Sequence, residues 1–472
     1  MSLLTKGRST IDFFLLLICF LFCPLTFANV AETYGFGSRT AGLAGAVVAQ
    51  GGDAFAAYYN PAALAHNQDQ RLRISWGMLY MQPRFLPINN VVTENSFNSD
   101  REQGNPNYDN VDVTYKPTFG QVLGLSYRLL PDFGNLSVGL VTFFPLEQLA
   151  YMDTGEAYVP EYVLYRARTQ RPQFELGVGA ELGAGLSVGA GLHIAYSLTS
   201  NAPAFINAGE NTVSSMRFTG SLKPKAAPYF GVQFIPQTAS KSLSFGAVLR
   251  LPVAFDNYVA LSSGARMMGR LAALPIHFFA TAALYYDPMA VELGNSWQIT
   301  QRLRLFAQMD YQLWSQFKAP ALLIQQPENS DAPRISAGAI PTYNYVNIWV
   351  PRVGQEIALT DKATLRFGYA YRPSIMNEIP LEAGNYLDPP KHMVNVGFSY
   401  SFSRFLGFST PATLDAHLSY QRLLSQLVIK TPGNEAGLSE DLKIGATNPN
   451  EAEGYQAGGN IIGGGLSLSF AF

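Results

Sequence analysis

Charge is scarce in this sequence. Asp, Glu, Lys and Arg make up 14% of the 472 residues, well below the roughly 25% that is typical of soluble domains. A soluble chain with so few charges would have difficulty covering its surface with groups that water solvates. Basic and acidic residues nearly balance, 32 against 34, so no positive excess indicates a nucleic-acid partner.

Long apolar runs are also missing after residue 30, so no later segment could cross a bilayer as a helix. The first 28 residues resemble a secretory signal peptide: Lys6 and Arg8 precede an apolar run at 13–22, and Ala28 ends a plausible cleavage site. We therefore expect residues 1–28 to be removed on export. A membrane anchor is the alternative, but the run is short for a spanning helix.

Cysteine is confined to Cys19 and Cys23, inside the predicted signal peptide. The exported chain would contain no thiol, which excludes disulfides, cysteine nucleophiles and cysteine metal sites together. The histidines show no metal-ligand spacing; they are His66, His193, His277, His392 and His417. We expect no metal site and no cofactor.

Alternation of apolar and polar residues at every second position is abundant and predicts β-strands. In 302–313, Leu305, Met309 and their neighbours share an apolar face, whereas Gln308 and Asp310 share a polar one. The pattern recurs in other segments: 72–80, 185–198, 365–371 and 394–402. A soluble sandwich would carry Lys, Glu and Thr on its polar face, but here Gly, Ser, Asn and Gln dominate. Segments of about ten residues suit a tilted strand that crosses a membrane.

Tight turns alternate with long polar stretches along the chain. The long stretches are rich in Asn, Pro, Asp and Gly: 82–116, 145–171, 199–225, 252–273, 314–349, 373–390 and 422–459. In outer-membrane barrels short turns face the periplasm and long loops face outward. These stretches therefore predict about fourteen strands. The last strand, with alternating Leu466, Leu468, Phe470 and Phe472, is expected to pair with the first and close the barrel.

Residues 33–65 do not alternate and are rich in Gly and Ala. Asp53 is a candidate N-cap for the following AFAAYY segment, and Asn60 is a candidate N-cap with Pro61 at the first helical position. We therefore predict short, tightly turned helices that would fit inside a barrel lumen.

Two groups of residues resemble the outer-membrane long-chain fatty acid transporter family, the FadL/OMPP1/TodX group. Residues of GFGSRTAGLAGA and GGDAFAAYYNPAALA resemble the family's hatch, a plug inside its barrel: Gly35, Phe36, Gly37, Asp53, Asn60, Pro61 and Ala62. In DYQLWSQF, four residues resemble the family's strand-end motif ahead of a long loop: Tyr311, Trp314, Ser315 and Phe317. The resemblance implies an all-β fold: an antiparallel transmembrane barrel over 71–472, plugged by a hatch over 29–70.

The resemblance also implies a function and a location. We expect passive transport of apolar compounds, foremost long-chain fatty acids, across the outer membrane of a Gram-negative bacterium. The family captures ligand in an apolar lumen pocket, moves its hatch and releases ligand sideways beside a kinked strand. Pro145 is a candidate for that kink, or it simply ends its strand. Expected partners are the ligand, outer-membrane lipid, lipopolysaccharide and the barrel assembly machinery, which would read Phe470 and Phe472; we expect a monomer.

A fatty-acid carboxylate would favour a basic residue that faces the lumen. Arg302, Arg304 and Arg366 have inward parity and are the candidate ligand residues. A second group, Arg166, Arg168 and Arg171, lies beside a long loop. Each could equally be ordinary lumen lining or the partner of an acid such as Asp310.

Two other classes of function are open alternatives. Some members of the family are secretion or assembly components, which would make this chain a structural barrel. The segment DAHLSYQ places Asp415, His417 and Ser419 on one strand face and resembles the His-x-Ser arrangement of outer-membrane phospholipases. Their nucleophile faces lipid, whereas the alternation turns this trio inward, so we expect no catalytic residues and no enzyme. Gly35 and Gly37 mimic a phosphate loop, but neither a preceding strand nor a following Lys is present.

Overall fold

A computed structural model describes the following residues of the chain: 30–51, 53–66, 71–86, 88–94, 108–111, 115–130, 132–147, 161–165, 169, 171–201, 204–208, 215–216, 219–237, 243–267, 270–317, 321–325, 344–378, 386–404, 410–428, 445–447 and 455–472. The predicted signal peptide, Arg166 and Arg168 lie outside these residues. Short helices come first: α1 (Val30–Tyr34), α2 (Ser38–Ala41), α3 (Ala56–Tyr59) and the 3-10 helix Pro61–His66. In the part of the chain just defined, no helix combines the length and apolarity needed to span a membrane.

Fourteen strands form one closed antiparallel barrel. They are β1 (Leu72–Phe85), β2 (Thr118–Leu130), β3 (Leu136–Pro145), β4 (Gln173–Gly183), β5 (Leu186–Asn201), β6 (Thr219–Phe234), β7 (Leu243–Arg250), β8 (Met289–Gln298), β9 (Leu303–Leu313), β10 (Ile348–Ala358), β11 (Ala363–Arg372), β12 (Lys391–Phe402), β13 (Ala412–Val428) and β14 (Tyr455–Ala471). The structure confirms the predicted barrel and strand number.

The first and last strands close the barrel. β1 pairs with β14 in a register that places Ile74 opposite Phe470 and Trp76 opposite Leu468. Beyond β14, the N–H of Phe472 donates to the carbonyl of Leu72 at 2.8 Å, and the rings of Phe470 and Phe472 stack. Closure removes the open sheet edge that lipid could not solvate.

The predicted alternation decides which side chains face lipid. In β12, for example, Val394 and Val396 point outward and are exposed, while Asn395 and Gly397 point into the lumen. The same division holds in β1, β9 and β11, whose outward residues include Trp76, Met309 and Phe367. The apolar surface therefore lies outside the barrel, where it meets hydrocarbon, and the polar side chains lie inside.

Ten further strands lie in the connections: Ile88–Glu94, Tyr108–Val111, Glu161–Tyr162, Ala204–Ala208, Ser215–Met216, Val253–Met267, Arg270–Asp287, Ala321–Gln325, Tyr386–Leu387 and Gly445–Thr447. Val253–Met267 and Arg270–Asp287 pair with each other and extend the β7–β8 hairpin beyond the barrel. The stretch 252–273, predicted to be one of the long connections, does lie in the connection between β7 and β8, and that connection contains these two strands.

Pro145 is the last residue of β3. The β3–β4 pairing runs from Ser137 to Phe143 without a register shift, and the β2–β3 pairing reaches Pro145. Pro145 therefore ends its strand, which was one of the two interpretations of the sequence.

Candidate functional site: a plugged lumen with a charged cavity and an aromatic chamber

The hatch, described here as residues 30–66, fills the lumen at the level where barrel strands present glycine inward. A Cβ built on any of these glycines would lie within 3.2 Å of a hatch atom: Gly124, Gly139, Gly177, Gly179, Gly189, Gly231, Gly246, Gly294, Gly354, Gly368 and Gly397. At these positions the wall presents no side chain to the hatch. The small hatch residues Ala57, Ala62 and Ala63 are completely buried as a result.

Asn60 joins the hatch to the wall. Its Oδ1 accepts from the N–H of Ala62 at 3.0 Å, which caps the 3-10 helix that begins at Pro61, as the sequence indicates. Its Nδ2 donates to the carbonyls of Val48 in the hatch at 2.7 Å and Val232 in β6 at 3.1 Å. Asn60 is 0% exposed, so water does not reach this site to replace its hydrogen bonds.

Asp53 caps a turn rather than α3. Its Oδ1 accepts from the N–H of Phe55 at 2.9 Å, but α3 begins only at Ala56. The predicted N-cap position is therefore displaced. The chain makes one local turn, closed by the side chain of Asp53, before the helix starts.

Gly35, Phe36 and Gly37 form a bend that Tyr59 holds. The N–H of Phe36 donates to the Tyr59 hydroxyl at 2.8 Å, and that hydroxyl donates to the Phe36 carbonyl at 3.1 Å. Burial raises the pKa of Tyr59 to about 12, so its proton stays in place. Gly37 has a φ of 77°, and a Cβ there would lie 2.4 Å from the Phe55 ring. Glycine is required at this position because of both the backbone angle and the close approach.

Barrel side chains hydrogen-bond to hatch carbonyls around the lumen. In each of the following pairs the wall side chain donates to the backbone carbonyl of the hatch residue: Tyr229 to Ala57, Arg250 to Tyr58, Gln233 and Ser244 to Ala49, Arg352 to Ala44, Asn395 to Ala41 and Gln421 to Thr33. The hatch is too short and irregular to provide hydrogen-bond partners for all of its own backbone groups, so side chains of the barrel wall supply the missing partners.

Arg39 connects the hatch to a chain of charges on the wall. Its guanidinium lies 3.4 Å from Asp53 and 3.4 Å from Glu356 of β10. Glu356 also pairs with Arg366 at 2.8 Å, and Arg366 reaches Asp415 at 3.3 Å. These residues lie toward the periplasmic turns of β10 and β11.

The three arginines that strand parity selects are not grouped around one cavity. Arg302 lies exposed in the β8–β9 turn, and Arg304 donates to Gln298 at 2.6 Å near the same end of the barrel. Arg366 is buried in the charge chain described above. Arg171 of the second group is also buried.

A charged cavity lies on the extracellular side of the hatch. It contains about 680 Å³ of space, open solvent included, and it is lined by residues of the hatch and of six barrel strands, among them Glu32, Tyr58, His193, Tyr229, Arg250, Glu292, Asp310 and Arg352. Arg250 pairs with Glu292 at 2.5 Å and sits over the rings of Tyr58 and Tyr229. Arg352 pairs with Asp310 at 2.6 Å. The charge of each arginine is therefore compensated by a neighbouring carboxylate.

An aromatic chamber lies nearer the extracellular loops. We define it by Phe85, Tyr115, Tyr162 and Tyr165, which belong to one buried apolar cluster. The ring centroids of Phe85 and Tyr162 are 3.9 Å apart in a stacked pair, and those of Phe85 and Tyr115 are 4.7 Å apart edge to face. The four rings pack against one another and are at most 8% exposed, so an apolar ligand would make contact by separating them.

Lys391, which sequence analysis missed, adjoins this chamber. It is 1% exposed, its Nζ donates to Gln421 Oε1 at 2.9 Å, and the Nζ lies 5.1 Å from the centre of the Tyr165 ring. Within the described ranges, no carboxylate lies within 4.0 Å of it. A signal was present, because Lys391 has the same inward parity as Asn395 and Gly397 in β12.

The strand-end motif shapes the rim beside this region. Trp314 is fully buried and donates to Gln312 at 2.9 Å, and Phe317 packs on Tyr345 with ring centroids 4.6 Å apart. The backbone N–H of Ser315 donates to Asn347 at 3.0 Å, and Asn347 donates to the Tyr311 hydroxyl at 3.2 Å. The motif thereby fastens the end of β9 to the segment that leads into β10.

Asp415, His417 and Ser419 point into the lumen and are buried. Asp415 is engaged by Arg366 and Ser399. Both ring nitrogens of His417 lack a hydrogen-bond partner among the described residues. No hydrogen bond links His417 to Ser419, so the arrangement of base and nucleophile that a hydrolase uses is not present in this part of the chain. Nor do the described residues contain a cluster suited to a metal ion.

A closed barrel of fourteen strands with an N-terminal plug in its lumen defines an outer-membrane β-barrel protein of the plugged type. The family model described as outer membrane protein transport protein (OMPP1/FadL/TodX) matches residues 27–456. The chain belongs to this family of transport proteins, and the resemblance read from the sequence is confirmed.

Individual relatives are distant. The chain is 22% identical over 405 residues to alkane uptake protein A of Marinobacter nauticus, covering 82% of each chain. Among solved structures, the Pseudomonas putida toluene transporter TodX matches with a TM-score of 0.54 at 14% identity, covering 93% of this chain and 99% of that one. A second structure of that transporter matches with a TM-score of 0.51. At such identities the structural matches establish the fold.

Proposed function

We propose that this protein admits long-chain fatty acids through the outer membrane without an energy source, by capture in the aromatic chamber, movement of the hatch and lateral release. The broader function, transport of hydrophobic compounds across the outer membrane, follows from the family. The choice of fatty acid rests on Lys391. Lys391 is buried and has no ion pair within 4.0 Å among the described residues, although Asp388 and Glu32 act on it electrostatically from further away. A ligand carboxylate would supply a direct partner while its chain packs on Phe85 and Tyr162.

Capture at Lys391 would act on the hatch through one side chain. Gln421 accepts from Lys391 through Oε1 and donates to the Thr33 carbonyl of the hatch at 3.0 Å through Nε2. A carboxylate that takes the place of Gln421 at Lys391 would leave this side chain free to rotate. The contact with Thr33 would then weaken, so ligand occupancy and hatch position would be coupled.

The test compares ligands with and without a carboxylate. In Lys391→Met we expect accumulation of oleate to fall at least tenfold, whereas hexadecane and toluene accumulate as before. Lys391→Arg keeps the charge and should retain oleate uptake. Equal losses for all three ligands in Lys391→Met would refute the carboxylate role, and unchanged oleate uptake would refute it as well.

Alkanes are the second candidate, supported by the similarity to alkane uptake protein A and by the apolar chamber. Mass spectrometry of lipid extracted from gently purified protein would separate the two. Fatty acid in the extract supports the first proposal, and saturated hydrocarbon supports the second.

Other parts of the proposal concern organisation and assembly. We propose a removed leader at 1–28, a hatch at 29–70 and a barrel at 71–472, which acts as a monomer in a membrane with lipopolysaccharide. Phe470 and Phe472 would be read by the barrel assembly machinery. A role for Arg302, Arg304 or Arg366 in ligand binding stays a prediction, and the contacts of Arg366 favour a role in holding the hatch. A secretion role is an alternative that no observed contact favours.

A further inference from the structure

A row of polar side chains crosses four neighbouring strands near the extracellular end of the barrel. Arg84 of β1 lies opposite Asn460 of β14. Asn460 in turn lies opposite Arg422 of β13, which lies opposite His392 of β12. We call these four residues the basic row. The row spans the seam between β1 and β14 at which the barrel closes.

Strand alternation places the basic row on the outer wall of the barrel. Arg84 and Arg422 are exposed, whereas both chain neighbours of each are buried. Asn460 and His392 have the same parity in their strands and are half-buried. Charged side chains on this face are costly at the bilayer midplane but cost little near the interfaces. The row is therefore expected at the height of the lipid headgroups.

The surroundings of the row agree with this height. Tyr371 of β11 lies opposite His392, with ring centroids 5.0 Å apart, as in the aromatic girdles at a membrane interface. β1 and β13 end just beyond the row and lead into long connections, which marks the extracellular side. One rung nearer the membrane centre, the outward residues are exposed and largely apolar: Ile462, Tyr420, Val394 and Tyr369.

The two arginines of the row lack compensating charges. Among the described residues, no carboxylate lies within 4.0 Å of Arg84 or Arg422. The lumen is different, because Arg250 and Arg352 each pair with an acid there. His392 is held by a hydrogen bond of 2.8 Å between its Nδ1 and the Tyr369 hydroxyl. The row therefore offers two positive charges and a fixed imidazole to a group outside the barrel.

The spacing of the row suits a phosphorylated headgroup. Neighbouring strands lie about 4.8 Å apart, so the Cα atoms of Arg84 and Arg422 are roughly 10 Å apart. Both long side chains can meet on one phosphate between them, which arginine binds through two parallel hydrogen bonds. The whole row extends over roughly 14 Å. This width exceeds that of a single phosphate and fits a phosphorylated disaccharide.

We propose that the basic row binds the phosphorylated disaccharide headgroup of lipopolysaccharide, whose acyl chains lie on the exposed apolar residues one rung below. The site rests on the outer-membrane location and not on which compound is transported. Because Arg84 and Asn460 belong to the first and last strands, the bound lipid bridges the closing seam. Binding to the folded barrel alone should then stabilise it.

The test uses the full mature chain in detergent and purified lipid A as the probe. Lipid A should raise the temperature at which the folded band is lost on gels, and lipid A without its phosphates should not. In Arg84→Gln with Arg422→Gln, bound lipid A measured by native mass spectrometry should fall at least tenfold. Lys362→Gln with Arg404→Gln is the matched control, since it removes the same charge from exposed positions in periplasmic turns; its binding should not change.

Several results would overturn the site. Undiminished lipid A in the double glutamine variant would contradict the site, as would equal stabilisation by dephosphorylated lipid A. A loss as large in the control would replace a local site by a general effect of charge. Equal stabilisation by phosphatidylglycerol would overturn the assignment to lipopolysaccharide. Arg422→Gln alone gives the same comparison if the double variant does not fold. A parent protein that accumulates no oleate would refute the transport proposal and leave this site untouched.

Discussion

The hatch layer of the lumen and the aromatic chamber above it are built in opposite ways. In the hatch layer the wall presents glycine, the hatch presents alanine, and side chains such as Gln233 and Ser244 reach across to hatch carbonyls. In the chamber the rings of Phe85, Tyr162 and Tyr165 pack on one another, next to the buried amino group of Lys391.

This difference separates two tasks. Each hydrogen bond to the hatch contributes only about 0.5–1.5 kcal/mol net. The hatch is thus held by many small contributions rather than by one dominant contact. The chamber contributes apolar area and one charge, which suits capture. Under the proposed function, binding and gating would take place in separate layers, linked through Gln421.

Removal of the hatch is the most severe test of this separation. Deletion of residues 33–65 should leave a folded barrel that conducts small polar solutes, because the chamber alone does not fill the lumen at the glycine level. Single-channel conductance and antibiotic sensitivity measure the leak. An impermeable deletion variant that still migrates as a folded barrel would contradict a plugging role.

Filling one glycine should displace the hatch more gently. A Cβ on Gly231 would lie 2.1 Å from Asn60 Oδ1, so Gly231→Val should destabilise the docked hatch by about 1–3 kcal/mol. We expect frequent channel openings and faster hydrogen exchange of residues 57–65. Val232→Leu, on the lipid-facing side of β6, is the control and should change neither quantity.

Asn60 offers a finer comparison between capping and anchoring. Asn60→Ala leaves the carbonyls of Val48 and Val232 and the N–H of Ala62 without their partner, at about 1–3 kcal/mol for each buried group. Uptake should change without loss of expression. Asn60→Asp keeps the acceptor for Ala62 but removes both donors, so an effect as large as that of alanine would assign the role to anchoring. Unchanged oleate and toluene accumulation in Asn60→Ala would contradict gating by the hatch.

The smallest expected effect concerns pH. Burial lowers the pKa of His66, at the end of the hatch, from 6.5, and its ring lies 3.1 Å from the hydroxyl of Ser187 in β5. Since the docked state disfavours the protonated ring, docking should be constant above about pH 6.5 and weaken as the pH falls below that value. Hydrogen exchange of residues 61–66 between pH 5 and 8 measures this pH dependence of hatch docking. His66→Gln should abolish the dependence, and a dependence that persists in this variant would assign it to another group.

Much of the fold follows from local pattern. The strands in the membrane were predictable because lipid and lumen impose different side chains on alternate positions, as Val394 and Asn395 illustrate. The extension of the β7–β8 hairpin at Val253–Met267 was not, because no such contrast acts outside the bilayer. Asn60 was recognisable as a cap because its acceptor is only two residues away, whereas its bond to Val232 crosses the lumen.

The candidate site was predictable only in part. Strand alternation correctly predicted that Arg366 points into the lumen. Its ion pairs with Glu356 and Asp415, however, depend on which strands become neighbours. Parity would also have selected Lys391, yet its lack of an ion pair within 4.0 Å among the described residues and its place beside Tyr165 depend on how the loops fold over the lumen. The local sequence pattern determines which side chains point inward, whereas the ion-pair partner of a side chain depends on residues far away in the chain.

By itself the sequence determined a closed membrane barrel with a small-residue plug, since period-two alternation, sparse charge and the hatch motif need only local geometry and the demands of lipid. The tertiary structure alone decided where the plug touches the wall and which charges neutralise each other. These features arise from contacts between residues far apart in the chain, and their energies depend on partners that no local pattern specifies.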